Sequence, residues 1–181
     1  MPQLAPPSGL VHHSFITAME EFRAEGRGGP DDDTTLGRTL RDYAGRWQDP
    51  AVFAAYVAEV RGSAYPAEPL GVPVTTLWYA EGADYIGRIA VRHTVGTRFL
   101  REYGGHIGYD VRPTARRRGH ATEMLRACLP YAAELGLESV LVTCDTDNIG
   151  SRKVIEAAGG AYEDERGGKL RYWIQTDTAR V

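Results

Sequence analysis

Apolar residues follow two regimes along this chain, helical spacing up to Gly62 and strand-like alternation from Val74 onward, with helical spacing returning twice in the second half. Phe15, Ile16, Met19 and Phe22 mark a first helix, with Ser14 as its N-cap and Gly26 as its stop. After the break at Gly28, Gly29 and Pro30, the acids Asp31 to Asp33 open a second helix carrying Leu36, Leu40, Tyr43, Ala44 and Trp47. Asp49 and Pro50 form a cap and first-turn pair for Phe53, Tyr56, Val57 and Val60, as a third helix or as a continuation of the second after a bend.

Residues 74–80 and 85–91, joined by a turn at 81–84, read as an antiparallel hairpin, and 104–112 as a further strand with Ile107, Tyr109 and Val111 on one face. Ala121, Met124, Leu125, Cys128, Leu129, Ala132 and Leu135 then draw one stripe of a long helix ending at Gly136, with a kink expected at Pro130. A short apolar strand follows at 139–144, then a helix at 150–158 and two strands around Gly167 and Gly168. Strand, helix and strand across 104–144 imply a parallel crossover, and thus a mixed sheet of about six to seven strands flanked by helices, an α+β or mixed α/β fold.

The 181 residues fit one domain, with an irregular lead-in at 1–12, a helical region at 13–62 and the sheet at 74–175. Net charge is -3, and the only dense basic run is Arg116, Arg117 and Arg118, so a local anion site is expected and no nucleic-acid partner. Cys128 and Cys144 lie in apolar segments without a metal-ligand spacing, and Asp31 to Asp33 read as a helix start, so no metal is expected. No apolar stretch suits a signal or a membrane span, which points to the cytoplasm and away from membranes. Trp47, Trp78 and Trp173 are expected in the core.

The segment from Val111 to Ala121 joins a strand to the long helix. At such a junction the first amides of the helix lack intrahelical partners and the helix dipole adds positive potential, a place where main chain alone can hold a diphosphate. Neither Gly-x-x-x-x-Gly-Lys-Ser/Thr nor Gly-x-Gly-x-x-Gly occurs.

Arg116-Arg117-Arg118-Gly119-His120-Ala121 resembles the Arg/Gln-x-x-Gly-x-Gly/Ala loop of GNAT acetyltransferases. Asn148-Ile149-Gly150-Ser151, with Val154, Ile155, Glu156 and Gly159, is similar to that family's Asn-x-x-Ser/Ala helix about thirty residues later. The resemblance spans roughly residues 74–175, while the family's first strand has no visible counterpart before Phe15.

This resemblance implies a GNAT fold with acetyl-CoA as co-substrate. It would place the pyrophosphate on the loop Arg116, Arg117, Arg118, Gly119, His120, Ala121 and Thr122, and the pantetheine arm against the strand ending at Val111, in a gap splayed open toward 139–144 and lined by Asn148 and Ser151. It implies direct attack of an amine, of a small molecule or of a protein, on the thioester, with a backbone N–H near Val111 on the oxyanion. His106 is the candidate base, although its plainer reading is a strand-end residue. The family's usual tyrosine acid is replaced by Ile155, leaving Tyr109, Ser151, Tyr172 or water to substitute.

Cys144 reads as a core residue before it reads as a nucleophile, and Glu20, Glu21 and Glu25 as a solvated helix face before an attractor of cationic acceptors. A coenzyme-A-binding sensor without turnover is the alternative function, a different diphosphate ligand a third. The loops 62–73 and 93–103 are expected to set acceptor choice, and a homodimer is compatible with the fold.

Overall fold

The computed structural model describes residues 1–62 and 71–176. Of the loop at 62–73, residues 63–70 lie outside the described residues. The strands are β1 (Gln3–Ala5), β2 (Val74–Glu81), β3 (Asp84–Arg92), β4 (Ile107–Val111), β5 (Ser139–Asp145), β6 (Ala161–Arg166) and β7 (Lys169–Gln175). The α-helices are α1 (His12–Ala24), α2 (Thr35–Asp42), α3 (Pro50–Arg61), α4 (His120–Glu134) and α5 (Ile149–Ala157). One seven-stranded sheet has the order β1-β2-β3-β4-β5-β7-β6. Only β4 and β5 run parallel, the crossover being α4.

The lead-in is not irregular throughout. Gln3 to Ala5 pairs antiparallel with Ala80 to Trp78 and supplies the first strand that alternation could not reveal. Three residues between Pro2 and Pro6 are too few to show a period, and they become a strand because β2 offers an edge to pair with. Ser14 also differs from expectation: it lies inside α1, and its hydroxyl accepts from the Tyr85 amide (3.0 Å) and from Arg112 (3.0 Å).

α2 is capped by the Thr34 side chain, which accepts from the Gly37 amide, and ends at Asp42, so Trp47 belongs to a connector and α3 is a separate helix. The strand expected from Gly104 starts only at Ile107, because Leu100–Gly104 forms a π-helical turn. Gly105 then takes φ +62°, and a Cβ there would sit 2.6 Å from the Leu141 carbonyl oxygen, so only glycine allows this approach of chain to β5.

Two cores sandwich the sheet. On one face Met124, Leu125, Cys128, Leu129 and Ala132 of α4 pack on Ile89, Val91, Ile107, Val140, Val142 and Ile174. On the other, Phe15, Phe22, Leu40, Trp47, Phe53, Tyr56, Trp78 and Tyr85 form an aromatic cluster under α1 to α3. Trp47 and Trp78 are core as expected, whereas Trp173 is half-buried. Both cysteines are buried free thiols, and burial pushes Cys128 up to about 12.

Candidate active site

The turn between β4 and α4 leaves its amides exposed in an uncommon way. The amide of Arg116 is spent on the Pro113 carbonyl (3.2 Å), and the first amides after it to find a carbonyl are those of Thr122 and Glu123, both on Gly119. The intervening five, of Arg117, Arg118, Gly119, His120 and Ala121, have no backbone or side-chain acceptor among the described residues. Arg117 sits at φ +65°, the only non-glycine residue with positive φ among those described, and Gly119 at φ +84°. A left-handed arginine costs on the order of 1 kcal/mol, strain of the kind that collects at ligand clamps. A Cβ on Gly119 would meet nothing within 4 Å, so its space is open. A cavity of about 280 Å³ borders the loop, lined in part by Arg112, Thr114, Arg118 and His120. The imidazole of His120 lies 3.9 Å from Glu123, its Nδ1 buried and unpartnered.

The side chain of Arg116 is not available to a ligand, contrary to its expected place among the phosphate contacts. Its Nε donates to the Val111 carbonyl (3.0 Å), its two terminal nitrogens grip Glu25 (2.7 and 2.9 Å), and it lies over the Phe22 ring. Arg112 likewise binds Glu21, Ser14 and the Tyr85 carbonyl, and Glu21 also accepts from the Thr114 amide and hydroxyl. Burial pushes the Glu21 carboxyl up, but the bonds from Arg112 and Thr114 outweigh this and hold it below its ordinary value. Of the three acids on this helix, Glu20 and Glu25 are solvated as expected, while Glu21 is half-buried; Glu21 and Glu25 are held by Arg112 and Arg116. They clamp α1 onto the loop across about ninety residues of sequence, which no local pattern announces.

Beyond the loop, β4 and β5 part company. Their ladder has a single register pair, Ile107 with Val142. On its other side β4 pairs with β3 through Gly87 to Val91, with Arg92 donating to the His106 carbonyl and Arg112 to that of Ile86. By the parity of an antiparallel ladder, the amides of Tyr109 and Val111 then point away from β3, toward β5, where no strand meets them. The sheet is split by a V whose apex is His106.

His106 makes the apex. Its amide donates to the Leu141 carbonyl (2.7 Å), and its Nδ1 accepts from the Leu141 amide (2.9 Å). Burial, helped by the nearby Arg92 cation, lowers its pKa to about 4. With Nδ1 occupied as an acceptor, the neutral ring carries its proton on Nε2 and has no lone pair left for a base to use. The strand-end reading of His106 fits this geometry and the base reading does not.

Tyr109 points into the split on the α4 side. Its buried hydroxyl lies next to Ser151 and Cys144, makes no well-formed hydrogen bond, and is pushed by burial up to about 12. Asn148 caps α5, its side-chain oxygen accepting from the Ser151 amide (3.0 Å) while its NH2 group bonds to nothing described. Ile155 is fully buried core, and the Tyr172 hydroxyl is given to Glu156 (3.2 Å). Tyr109, Ser151 and Asn148 are thus successive neighbours in space, Tyr109 to Ser151 and Ser151 to Asn148, while Val111 lies two residues from Tyr109 on the same edge of β4. No group of three metal-ligating side chains occurs among the described residues.

The site is thus a sheet split between parallel strands, with a turn of unpaired amides at its mouth. The chain belongs to the GNAT acetyltransferase family: the model of the acetyltransferase (GNAT) domain matches residues 31–161. An uncharacterized N-acetyltransferase of Bacillus subtilis (strain 168), YnaD, is 30% identical over 70 residues, which are 38% of this chain and 41% of that protein, so the match spans well under half of that relative. Among solved structures, Mycobacterium smegmatis RimJ in complex with CoA-disulfide aligns over 99% of this chain and 84% of its own at 16% identity, with a TM-score of 0.66. The microcin C7 self-immunity acetyltransferase MccE, in complex with acetyl-CoA and AMP, covers 96% and 92% at 10% identity and 0.62. RimL, a ribosomal L7/L12 alpha-N-protein acetyltransferase in complex with coenzyme A, covers 96% and 93% at 12% identity and 0.61. At such identities these likenesses establish the fold, mixed sheet and flanking helices included.

Proposed function

We propose that this protein is an acetyl-CoA-dependent N-acetyltransferase acting on a primary amine by direct attack in a ternary complex. The observation that carries this reading is the row of five amides at Arg117 to Ala121 without an acceptor among the described residues, at the mouth of a split whose β4 edge is also unpaired beyond Ile107. Acetyl-CoA supplies the activated acyl thioester.

The loop amides and the α4 dipole hold the diphosphate, with Arg117 and Arg118 free to add charge-assisted bonds and Thr122 at the start of the helix behind them. The main chain of Tyr109 and Val111 pairs with the pantetheine arm as a missing strand would, and Asn148 and Ser151 bound the cleft. An amide of β4 near Val111 that the arm leaves unpaired donates to the developing oxyanion, a term worth about 3 kcal/mol per well-placed donor.

Tyr109 is the proton donor to the departing thiolate: buried, held protonated through neutral pH and lacking a settled partner, it replaces from β4 what Ile155 cannot provide from α5. His106 holds the apex and takes no proton. The acceptor is an amine of a small molecule or of a protein, the latter in keeping with the substrate named for RimL. The test is calorimetry with acetyl-CoA followed by thiol release on an amine panel. Absence of any heat of binding removes the proposal, whereas binding without turnover on any amine favours a coenzyme-A sensor.

A further inference from the structure

α4 and α5 cover one face of the split, so an acceptor must come from the other face, where the even-numbered residues of β4 and Arg92 of β3 project. That face is rich in cations. Arg88 and Arg27 share Asp110, at 3.3 and 3.6 Å, and Asp32 is taken by Arg27 (2.8 Å). Arg92 and Arg38 have no carboxylate within 4.0 Å among the described residues.

Arg92 stands at the apex itself. One terminal nitrogen donates to the carbonyls of Gly104 (3.0 Å) and Gly105 (3.1 Å). The other lies over Gly108, 3.5 Å from where a Cβ would be, and has no hydrogen-bond partner among the described residues, nor has Nε. The neighbours of Arg92 are the like charges of Arg88 and Arg38, and the His106 ring beside it offers a proton on Nε2. Every side-chain group at this point is a donor. A part-buried cation without a counter-charge is unfavourable in the empty protein and becomes favourable when a ligand brings the anion.

We propose that the acceptor amine carries an oxyanion, a carboxylate or a phosphate, which binds Arg92 beside the apex with Arg38 at the rim. This rests on the acetyltransferase reading and narrows it to anionic amines: the two nitrogens that Arg92 leaves open match the two oxygens of such a group. A site built to bond an anion also rejects amines lacking one, because its donors are then left unpaired.

The experiment measures kcat/KM on matched pairs, an amino acid against its amide and an aminoalkyl phosphate against the corresponding amino alcohol, together with a peptide whose N-terminal residues are neutral. The anionic member of at least one pair is expected to lead tenfold or more, and which pair shows the lead tells carboxylate from phosphate. Arg92→Gln should bring that ratio toward one, mainly through KM, and Arg92→Lys should keep part of it. If Arg92→Gln does not fold, Arg38→Gln and the wild-type ratios decide.

Equal rates on charged and neutral members, preference for the neutral peptide, or an unchanged ratio in Arg92→Gln overturns the proposal. So does acetyl-CoA binding with none of the anionic amines accepted. Failure of the wild-type protein to bind acetyl-CoA is a different result, one that removes the acetyltransferase reading as well.

Discussion

Replacing Glu21 by alanine should loosen α1 from the loop that it braces. Its carboxylate accepts from Arg112 Nε (3.1 and 3.2 Å), from Arg112 Nη2, and from the amide (3.1 Å) and hydroxyl (3.0 Å) of Thr114. The two charged side chains are 14% and 17% exposed, between the exposed pairs that contribute ~0–1 kcal/mol and the buried pairs whose rupture costs ~3–5 kcal/mol. Adding the orphaned Thr114 donors, we expect a loss of about 2–4 kcal/mol. For a chain of this length each kcal/mol moves the melting point by roughly 2–4 °C.

Urea unfolding followed by tryptophan fluorescence measures the loss, and a double-mutant cycle of Glu21 with Arg112 isolates the pair. The exposed pair Arg152–Glu156, with side chains 50% and 43% accessible, is the internal control and should couple by only ~0.3–0.5 kcal/mol. Because the Glu21 carboxyl is held below its ordinary value, its contribution is full above the unfolded carboxylate range and fades as pH falls through the folded value. Glu21→Gln should therefore flatten the acid limb of stability. A loss under about 0.5 kcal/mol, or a coupling no larger than the control, would refute the bracing argument.

Gly119→Ala meets open space but a left-handed backbone at φ +84°, so a penalty of ~1–2 kcal/mol should weaken coenzyme A binding roughly 5- to 30-fold by calorimetry, and an unchanged Kd would count against the loop. Tyr109→Phe removes only a hydroxyl; turnover should fall ~10- to 100-fold, the low end for a proton donor because a thiolate leaves readily, with acetyl-CoA affinity held within about twofold. The His106 pKa lies at about 4 in the fold, below its free value, so the unfolded chain takes up the proton first. Stability should thus decline as pH drops from about 6.5 to 4, by up to ~1.4 kcal/mol per unit, and His106→Asn should lack that limb in urea midpoints.

The second half of the fold was readable because its signals are long or strongly punctuated. The α4 stripe runs over fifteen positions, and the loop before it pairs a strand end with a helix start, so the turn with unpaired amides could be placed from spacing. β1 escaped because three residues carry no period and its structure is borrowed from β2. The π-helical turn escaped because Leu100 to Gly104 joins a polar connector whose only cue, Gly105, acts through a carbonyl on a strand 36 residues later. Arg116 reads from sequence as a phosphate ligand since its type and place are right; only the tertiary fold reveals that Glu25 and Val111 already hold it. His106 was a fair base by type alone, yet its lone pair is consumed by an amide brought near through β5.

These displaced roles share one physical cause. A split sheet leaves main-chain groups on both of its lips unsatisfied, and the protein must keep the split from closing or spreading without spending the groups that a ligand needs. At the apex, His106 and Gly105 fix the distance to Leu141 with one side chain and one missing side chain. At the mouth, Arg112 and Arg116 are tied to α1 by Glu21 and Glu25, so the charges nearest β4 serve geometry, while Arg117 and Arg118 have no carboxylate partner among the described residues. Between these fixed points, the Tyr109 hydroxyl, protonated at neutral pH, and the Arg92 guanidinium join the amides of Tyr109 and Val111 as donors. On the acetyltransferase reading we propose, with the His106 lone pair consumed, no side chain assigned to the reaction takes a proton from an incoming ammonium, so the amine is expected to arrive already neutral.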